Sequence, residues 1–446
     1  MKRAVAAASL VLVASCAHYQ SHPLTNEPAM LSAPVASVLE TRANEIRRPW
    51  LQPIDLDLAA PLTPDAIATL AVLNNPDLEA QRVRAGVADA QVFAAGLLPD
   101  PTISLGANKV ITGPDPLLDL ASAIGLDINA LRTRGVTREK AIASARQVRL
   151  DLAWAEWQTA GQARIQAARI VGLEKVVELA HASHETAESL LQRFEQAATS
   201  GDVSGDRLQS ARVAALLAAN TLRSAETNLA AAKTELNKLL GLPPGTELRL
   251  AETPLPAQPP ATKILFDLAR ENRSDLQALQ AGYEAQEAAT HKAVLDQFPT
   301  LNLTINANRD SAGNFMVGPA VDFTLPLWNR NRGGIAVERA TRAALKAEYE
   351  ARLFKTRSEI ASAEAGLAVA YQQLADAEVG LGQLERYAQA AQRAAQRGDL
   401  SLETAQNAEQ TLRDREIAIA QSQEAIREQS IALELLTGTP REAWTQ

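Results

Sequence analysis

The sequence predicts a mainly α-helical protein with a small β part, in which very long helices alternate with short paired strands. Three observations predict it. First, the chain says the same thing twice: Asn75-Pro76-Asp77-Leu78 returns as Arg273-Ser274-Asp275-Leu276, Leu98-Pro99 as Phe298-Pro299, Gly201-Asp202-Val203-Ser204 as Gly398-Asp399-Leu400-Ser401, and Leu240-Gly241 as Thr437-Gly438. The offset stays at about two hundred residues, as two equivalent structural units require. Second, residues 132–198 and 335–396 each read as a single long helix; the first, roughly 65 residues, spans about 100 Å at 1.5 Å per residue. Third, Thr300-Leu301-Asn302-Leu303-Thr304-Ile305-Asn306-Ala307-Asn308 alternates polar and apolar without a break, the period of a strand with one greasy and one polar face.

Composition agrees. Of 446 residues only 4% are aromatic, while Ala, Leu, Gln, Glu and Arg dominate, which suits long helices packed by small side chains rather than a thick globular core. The formal net charge of -8 argues against a nucleic-acid partner, which wants a basic face. Beyond the N-terminus no segment approaches the roughly twenty apolar residues of a spanning helix, so a membrane crossing would have to use strands.

The elements follow in order. Lys2 and Arg3, the apolar run from Ala4 to Val13 and the small residues Ala14-Ser15 have the order of an export signal, residues 1–15. The chain's one cysteine, Cys16, follows directly, which resembles the lipobox of bacterial lipoproteins; an ordinary signal with a chance cysteine is the other reading. Ala17 after it resembles, among enterobacterial lipoproteins, those sorted to the outer membrane. Residues 16–62 are Pro-rich and read as an extended arm. Thr63-Pro64-Asp65 is a helix start, Thr63 the cap and Pro64 the first helical residue; the helix runs to about 97 with an interruption near Asn75-Pro76. Strands at 102–108 and 122–129 flank a Gly/Pro/Asp loop, with Ile124, Leu126 and Ile128 alternating with Gly125, Asp127 and Asn129. After the long helix, the Gly201 turn leads into a helix over 205–240, which the Gly241-Leu242-Pro243-Pro244 segment stops. The second copy repeats the plan: a helix over 262–297, strands at 300–308 and 317–325, the long helix, the Gly398 turn and a helix to 436. The units are therefore 63–241 and 262–438, joined by a Pro-rich linker, 242–261, and followed by a tail, 439–446. In each copy two shorter helices of about 35 residues sum to the long one, so they can pair with it end to end. The irregular segments would then meet at the waist, with the Gly201 and Gly398 turns at one end and the strands at the other.

The nine alternating residues of 300–308 are close to the roughly 9 to 11 of a tilted transmembrane strand. A half-buried soluble sheet gives the same alternation. Trp328 stands where an interfacial aromatic would, with Arg330 and Arg332 beside it as further candidates for the membrane interface. Four strands cannot close a barrel in lipid: two chains would give eight, three chains twelve with room for water. Apolar residues such as Leu208, Val213, Leu216 and Leu222 likewise require neighbours along the helices.

The doubled pattern of helix, hairpin and helix, the Asn75-Pro76-Asp77-Leu78 and Leu98-Pro99 signatures, the two Gly-Asp-x-Ser tips and the Leu240-Gly241-Leu242-Pro243-Pro244 ending together resemble the outer membrane efflux protein (TolC) family over 63–438. Leu325-Pro326-Leu327-Trp328-Asn329-Arg330-Asn331-Arg332-Gly333-Gly334 is similar to the strand-to-helix junction of the branch that works with heavy-metal cation pumps; the first copy has only Leu131-Arg132-Thr133-Arg134-Gly135 there. The resemblance implies a lipid-anchored homotrimer in the outer membrane, a twelve-stranded barrel continuing into a periplasmic tube of helices. A periplasmic adaptor and an inner-membrane pump would deliver substrate to tips formed by Gly201, Asp202, Ser204, Gly398, Asp399 and Ser401. It further implies an acidic ring just past the second tip. Thr404 and Asn407 stand at those positions, with Glu403 beside them, so the nearest acidic gate candidates are Glu403, Asp399, Asp202 and Asp206. Solvation and capping of the turns is the other reading of these acids.

Neither chemistry nor a cofactor is expected. The five histidines include His181-x-x-His184 with Glu178, Glu185 and Glu188 on one helix, a candidate metal pair that a solvated helix face explains equally well. No nucleophile elbow or phosphate loop is present. A secreted coiled-coil lipoprotein acting as a tether or adhesin is the alternative, and a periplasmic hydrolase on a helical scaffold a third.

Overall fold

The computed structural model describes residues 19–109, 111–112 and 118–445; the export signal, Cys16 and His18 lie outside the described residues. The arm contains a helix the sequence reading missed, α1 (Ala36–Glu45). Leu39 and Ala43, four apart, are its buried stripe, so local periodicity within a Pro-rich stretch was the overlooked signal. Helices α2 (Pro64–Asn74) and α3 (Pro76–Gly96) follow, then strands β1 (Thr102–Lys109) and β2 (Leu118–Asp127). Next come α4 (Ile128–Thr199), with 72 residues, and α5 (Gly205–Leu239). The same order then runs again: α6 (Thr262–Asn272), α7 (Ser274–Leu295), β3 (Thr300–Arg309), β4 (Phe315–Thr324), α8 (Arg332–Glu378), α9 (Leu381–Arg397) and α10 (Leu402–Thr437).

The breaks have local causes. The Thr63 hydroxyl accepts from the Ala66 N–H at 3.2 Å and starts α2. Asn75, extended at φ -66 and ψ 125, ends α2 and caps α3, its Oδ1 accepting from the N–H groups of Asp77 and Leu78. Pro76 cannot donate to the α2 ladder, so the helix must stop there. The helix expected over 262–297 is likewise divided, at Arg273 (φ -67, ψ 115); no proline marks it, and the break follows from the burial of the Arg273 guanidinium described below. The long helix expected over 335–396 is also two helices. Val379 is extended and Gly380 sits at φ 78, a left-handed conformation that glycine adopts without a Cβ penalty.

Helix α4 is the spine, at 1.5 Å per residue about 108 Å long. Helices α2, α3 and α5 pack along it, as do α7 and α10. Its glycines permit close approach: a Cβ on Gly161 would lie 2.2 Å from Leu435 Cδ2, and one on Gly172 2.7 Å from Glu424 Oε2. The cores are correspondingly thin. One gathers Leu39, Leu56, Leu62, Ile67, Leu70, Ile170, Leu236 and Leu240. Another gathers Leu265, Ile360, Leu367, Ile426, Leu433 and Trp444. Arm, linker and tail meet around this waist. Leu62 bridges Leu250, Arg427 Nε donates to the linker carbonyl of Thr253 at 3.0 Å, and Trp50 and Pro440 line a common hollow of ≈ 450 Å³.

The strands form one antiparallel sheet in the order β1-β2-β3-β4. Residues opposite one another share a face, and the register pairs Ile103 with Ile124, Ile124 with Ile305, Leu303 with Val321 and Leu301 with Phe323. The other face pairs Asn108 with Asp119, Ser104 with Ala123, Asp127 with Asn302 and Asn302 with Asp322. Among the described residues, no helix is long and apolar enough to cross a membrane.

Candidate channel wall and docking tips

The two ends of the body are built differently. At the strand end the apolar face of the sheet has no cover among the described residues: Leu105 is 82% and Ile103 70% exposed. The opposite face holds, apart from Met316, small, hydroxyl and amide side chains with three charges, Asp119, Asp127 and Asp322. Asp127, Asn302 and Asp322 stand in one row across β2, β3 and β4. Asp127 also caps α4, its Oδ1 accepting from the Ala130 N–H at 2.9 Å.

The junctions of sheet and helices are tied by arginines. Arg132 donates to the Leu295 carbonyl at 3.2 Å and lies over the Phe298 ring at 5.9 Å. Arg134 Nε donates to the carbonyl of Gly96, at 2.9 Å. These arginines close the otherwise unpaired C-terminal carbonyls of α3 and α7, a role the sequence reading did not assign to them. In the second copy Trp328 is 87% exposed, and Arg330 and Asn331 take φ 46 and φ 50. Asn331 Nδ2 donates to the Ala293 carbonyl at 2.8 Å, and Arg332 opens α8.

At the opposite end both turns close in the same way. Gly201 is at φ 81 and Gly398 at φ 80; the N–H of Asp202 donates to the Ala197 carbonyl at 3.0 Å and that of Asp399 to the Ala394 carbonyl at 2.9 Å, the six-to-one bond of a Schellman ending. Ser401 caps α10 through the Thr404 N–H at 3.1 Å, and its hydroxyl meets that of Thr404 at 2.7 Å. Ser204 precedes α5, and its hydroxyl together with the first backbone N–H groups of that helix holds the Asp206 carboxyl below its ordinary range. Asp399 pairs with Arg397 at 2.9 Å, and Glu403 faces Arg207 at 3.9 Å, which brings the two turns together. Asn407 stands one turn further in, lining a cleft between helices with Thr186 and Leu217. His181 and His184 do not form one site: each faces its own glutamate, Glu185 at 3.6 Å and Glu188 at 3.3 Å. Among the described residues no group of three or more metal-binding side chains gathers.

Between the ends, buried charges tie together the helices within each half. Glu156 receives Arg48 at 2.6 Å and Arg82 at 2.9 Å. Burial pushes its carboxyl up, but these guanidinium groups outweigh burial and hold it low. Asp275 is held low in the same way, burial being outweighed by Arg273 and Arg352. Glu424 is the opposite case: burial first, then the neighbouring Glu428, raise it to about 7 against the pull of Arg169.

A doubled helical body with a short sheet at one end, one face apolar and the other polar, is the fold seen in solved outer-membrane channels. Residues 265–439 match the family described as outer membrane efflux protein, so the chain carries an outer membrane efflux protein domain, and its fold is that of the TolC-family channels. The CmeC outer membrane channel of Campylobacter jejuni superposes with a TM-score of 0.68 at 16% identity, covering 93% of this chain and 94% of that one. VceC of Vibrio cholerae gives 0.67 at 18% identity, covering 84% and 96%. CusC gives 0.62 at 18% identity, covering 84% and 92%. No curated protein sequence matches the chain.

Proposed function

We propose that this chain is one protomer of a homotrimeric outer-membrane conduit, taking substrate from an inner-membrane pump and periplasmic adaptor to the exterior without acting on it chemically. The observation that carries this reading is the sheet. Its apolar face is exposed, and its outer strands β1 and β4 each pair on one side only within the chain. An open edge in lipid strands backbone groups without partners, so other copies must close it, and three copies make twelve strands with a water-filled bore. The adaptor would meet the Gly201 and Gly398 turns. Lipid on Cys16 would anchor the arm, which mass spectrometry of the mature N-terminus tests.

The inward aspartates favour a cationic cargo, heavy-metal cations included. Three copies of the row formed by Asp127, Asn302 and Asp322 would ring the base of the barrel with carboxylates, a cation-favouring arrangement. Light scattering of detergent-extracted protein is expected to give three chains, with step conductance in planar bilayers. A monomer that keeps its strand signal would sink the proposal.

A further inference from the structure

Charge on the sheet is divided by sign. Among the described strand residues the inward face carries only acids, Asp119, Asp127 and Asp322, whereas the charged side chains of the outward face are two bases, Lys109 and Arg309. Both bases lie at the loop end of the sheet, away from the helices: Lys109 is the last residue of β1, opposite Leu118, and Arg309 the last of β3, opposite Leu120 and Phe315. Neither is paired with a carboxylate among the described residues. By strand spacing their Cα atoms are on the order of 12 Å apart.

Below Arg309 the outward face is hollow. A groove of ≈ 490 Å³ crosses β1, β2 and β3, walled by Leu105, Leu120 and Phe315, floored by the small residues Ala107 and Ala307, with Arg309 in its lining. It lies on the outward face, which stays outward when other copies pair with β1 and β4. An apolar channel of this kind suits an alkyl chain, and long basic side chains at its membrane-surface end reach for the headgroup layer. A guanidinium binds phosphate with paired, charge-assisted hydrogen bonds.

We propose that this groove seats an acyl chain of a net-anionic, phosphate-bearing lipid of the outer leaflet, whose headgroup phosphates are held by Arg309 and Lys109. The inference rests on the channel reading above and deepens it by naming a lipid site on the barrel wall. An uncharged lipid would fill the groove without answering either cation, and a zwitterionic phospholipid brings one phosphate together with a cation of its own, so a lipid with net negative charge and more than one phosphate matches the pair best. The division of charge therefore selects the headgroup as well as the chain.

Native mass spectrometry of the detergent-solubilised full-length protein tests this, with lipid A and phosphatidylcholine as probes. Lipid A is expected to remain bound at activation energies that strip phosphatidylcholine. Arg309→Gln or Lys109→Gln should each weaken its retention about fivefold, and the double variant about thirtyfold, from roughly one interfacial charge apiece. Arg357→Gln, on the helical body, should leave it unchanged. Retained strand signal and oligomer mass establish that the variants are folded; should Arg309→Gln not fold, weakening of lipid A retention in the wild type by rising salt is the second measurement. Equal retention of the two lipids, or of lipid A by wild type and a folded double variant, would overturn the inference while single-channel conductance persists. Absence of conductance would overturn the channel reading, and this inference with it.

Discussion

Asn75 and Arg273 do the same work in the two halves of the chain with different chemistry. Asn75 Nδ2 donates to the carbonyl of Leu239 at 2.9 Å, and Arg273 Nη1 to the carbonyl of Leu436 at 3.2 Å. Each side chain sits at the break between two helices and closes the last turn of the helix that returns from the tip. Asn75 is also its own helix cap. Arg273, 1% exposed, instead holds Asp275 at 2.7 Å and lies over the Trp154 ring at 4.6 Å.

The two positions should therefore respond differently. Asn75→Ala loses a cap and is expected to cost about 1 kcal/mol. Arg273→Met strips one of two guanidinium groups from the buried Asp275 and should cost about 3 kcal/mol, whereas Arg273→Met with Asp275→Asn should recover part of it. Urea midpoints of the detergent-solubilised protein measure both. Equal costs would refute the distinction.

Glu424 makes stability depend on pH near neutrality. Its folded value of about 7 lies above the ordinary carboxylate value, so its contribution is fully present below that ordinary value and is lost as pH rises through 7. The unfolding temperature is expected to fall between about pH 5 and pH 7 and to level off above that. Glu424→Gln should flatten that slope and stabilise at pH 8 by about 1–2 kcal/mol, the figure being discounted because the group is partly solvated.

In the proposed trimeric conduit the aspartates of the polar sheet face would make the barrel selective in sign. Asp322→Asn is expected to lower cation-over-anion permeability about twofold, read as a reversal potential moving toward zero under a salt gradient, most clearly at low ionic strength. Asp65→Asn, at a helix start by the waist, should have no effect. Asp322 is the better probe because Asp127 also caps α4.

The tip prediction concerns Gly398. Its φ of 80 is strained for any β-branched residue, and a Cβ there meets no atom within 4 Å, so the cost of Gly398→Val is backbone strain of roughly 1–2 kcal/mol in one turn. Export in cells is expected to be lost while oligomer and outer-membrane localisation persist. Unchanged export would argue against docking at the tips.

The acids beside that turn have partners of their own. Glu403→Gln releases Arg207 and is expected to weaken cation block of single-channel current if three copies ring the axis. Identical block in the wild type and in the combined neutralisation of Asp202, Asp206, Asp399 and Glu403 would remove an acidic gate from this protein.

Periodicity and punctuation by themselves determined the order of helices and strands, the glycine turns at Gly201 and Gly398, and the phase of the strands. Each of these is local: a left-handed turn needs glycine within a few residues, and a two-residue period places Leu301, Leu303 and Ile305 on one face whatever the partner. What only the tertiary structure decided depends on contacts between distant segments. The break at Arg273 carries no proline and exists because Asp275 on α7, the Trp154 ring on α4 and the Leu436 carbonyl on α10 converge on one guanidinium, while Arg352 of α8 donates to the same Asp275 carboxylate. The break at Gly380 divides a stretch read from the sequence as one helix; a glycine marks it, but glycine also stands inside α4 at Gly161 and Gly172, where it makes room for Leu435 and Glu424 instead. A glycine permits a break and a close approach equally, and only the neighbour that fills the space distinguishes them. The pairing of β2 with β3, which sets Asp127 beside Asn302 and opens the groove below Arg309, likewise joins residues far apart in the chain.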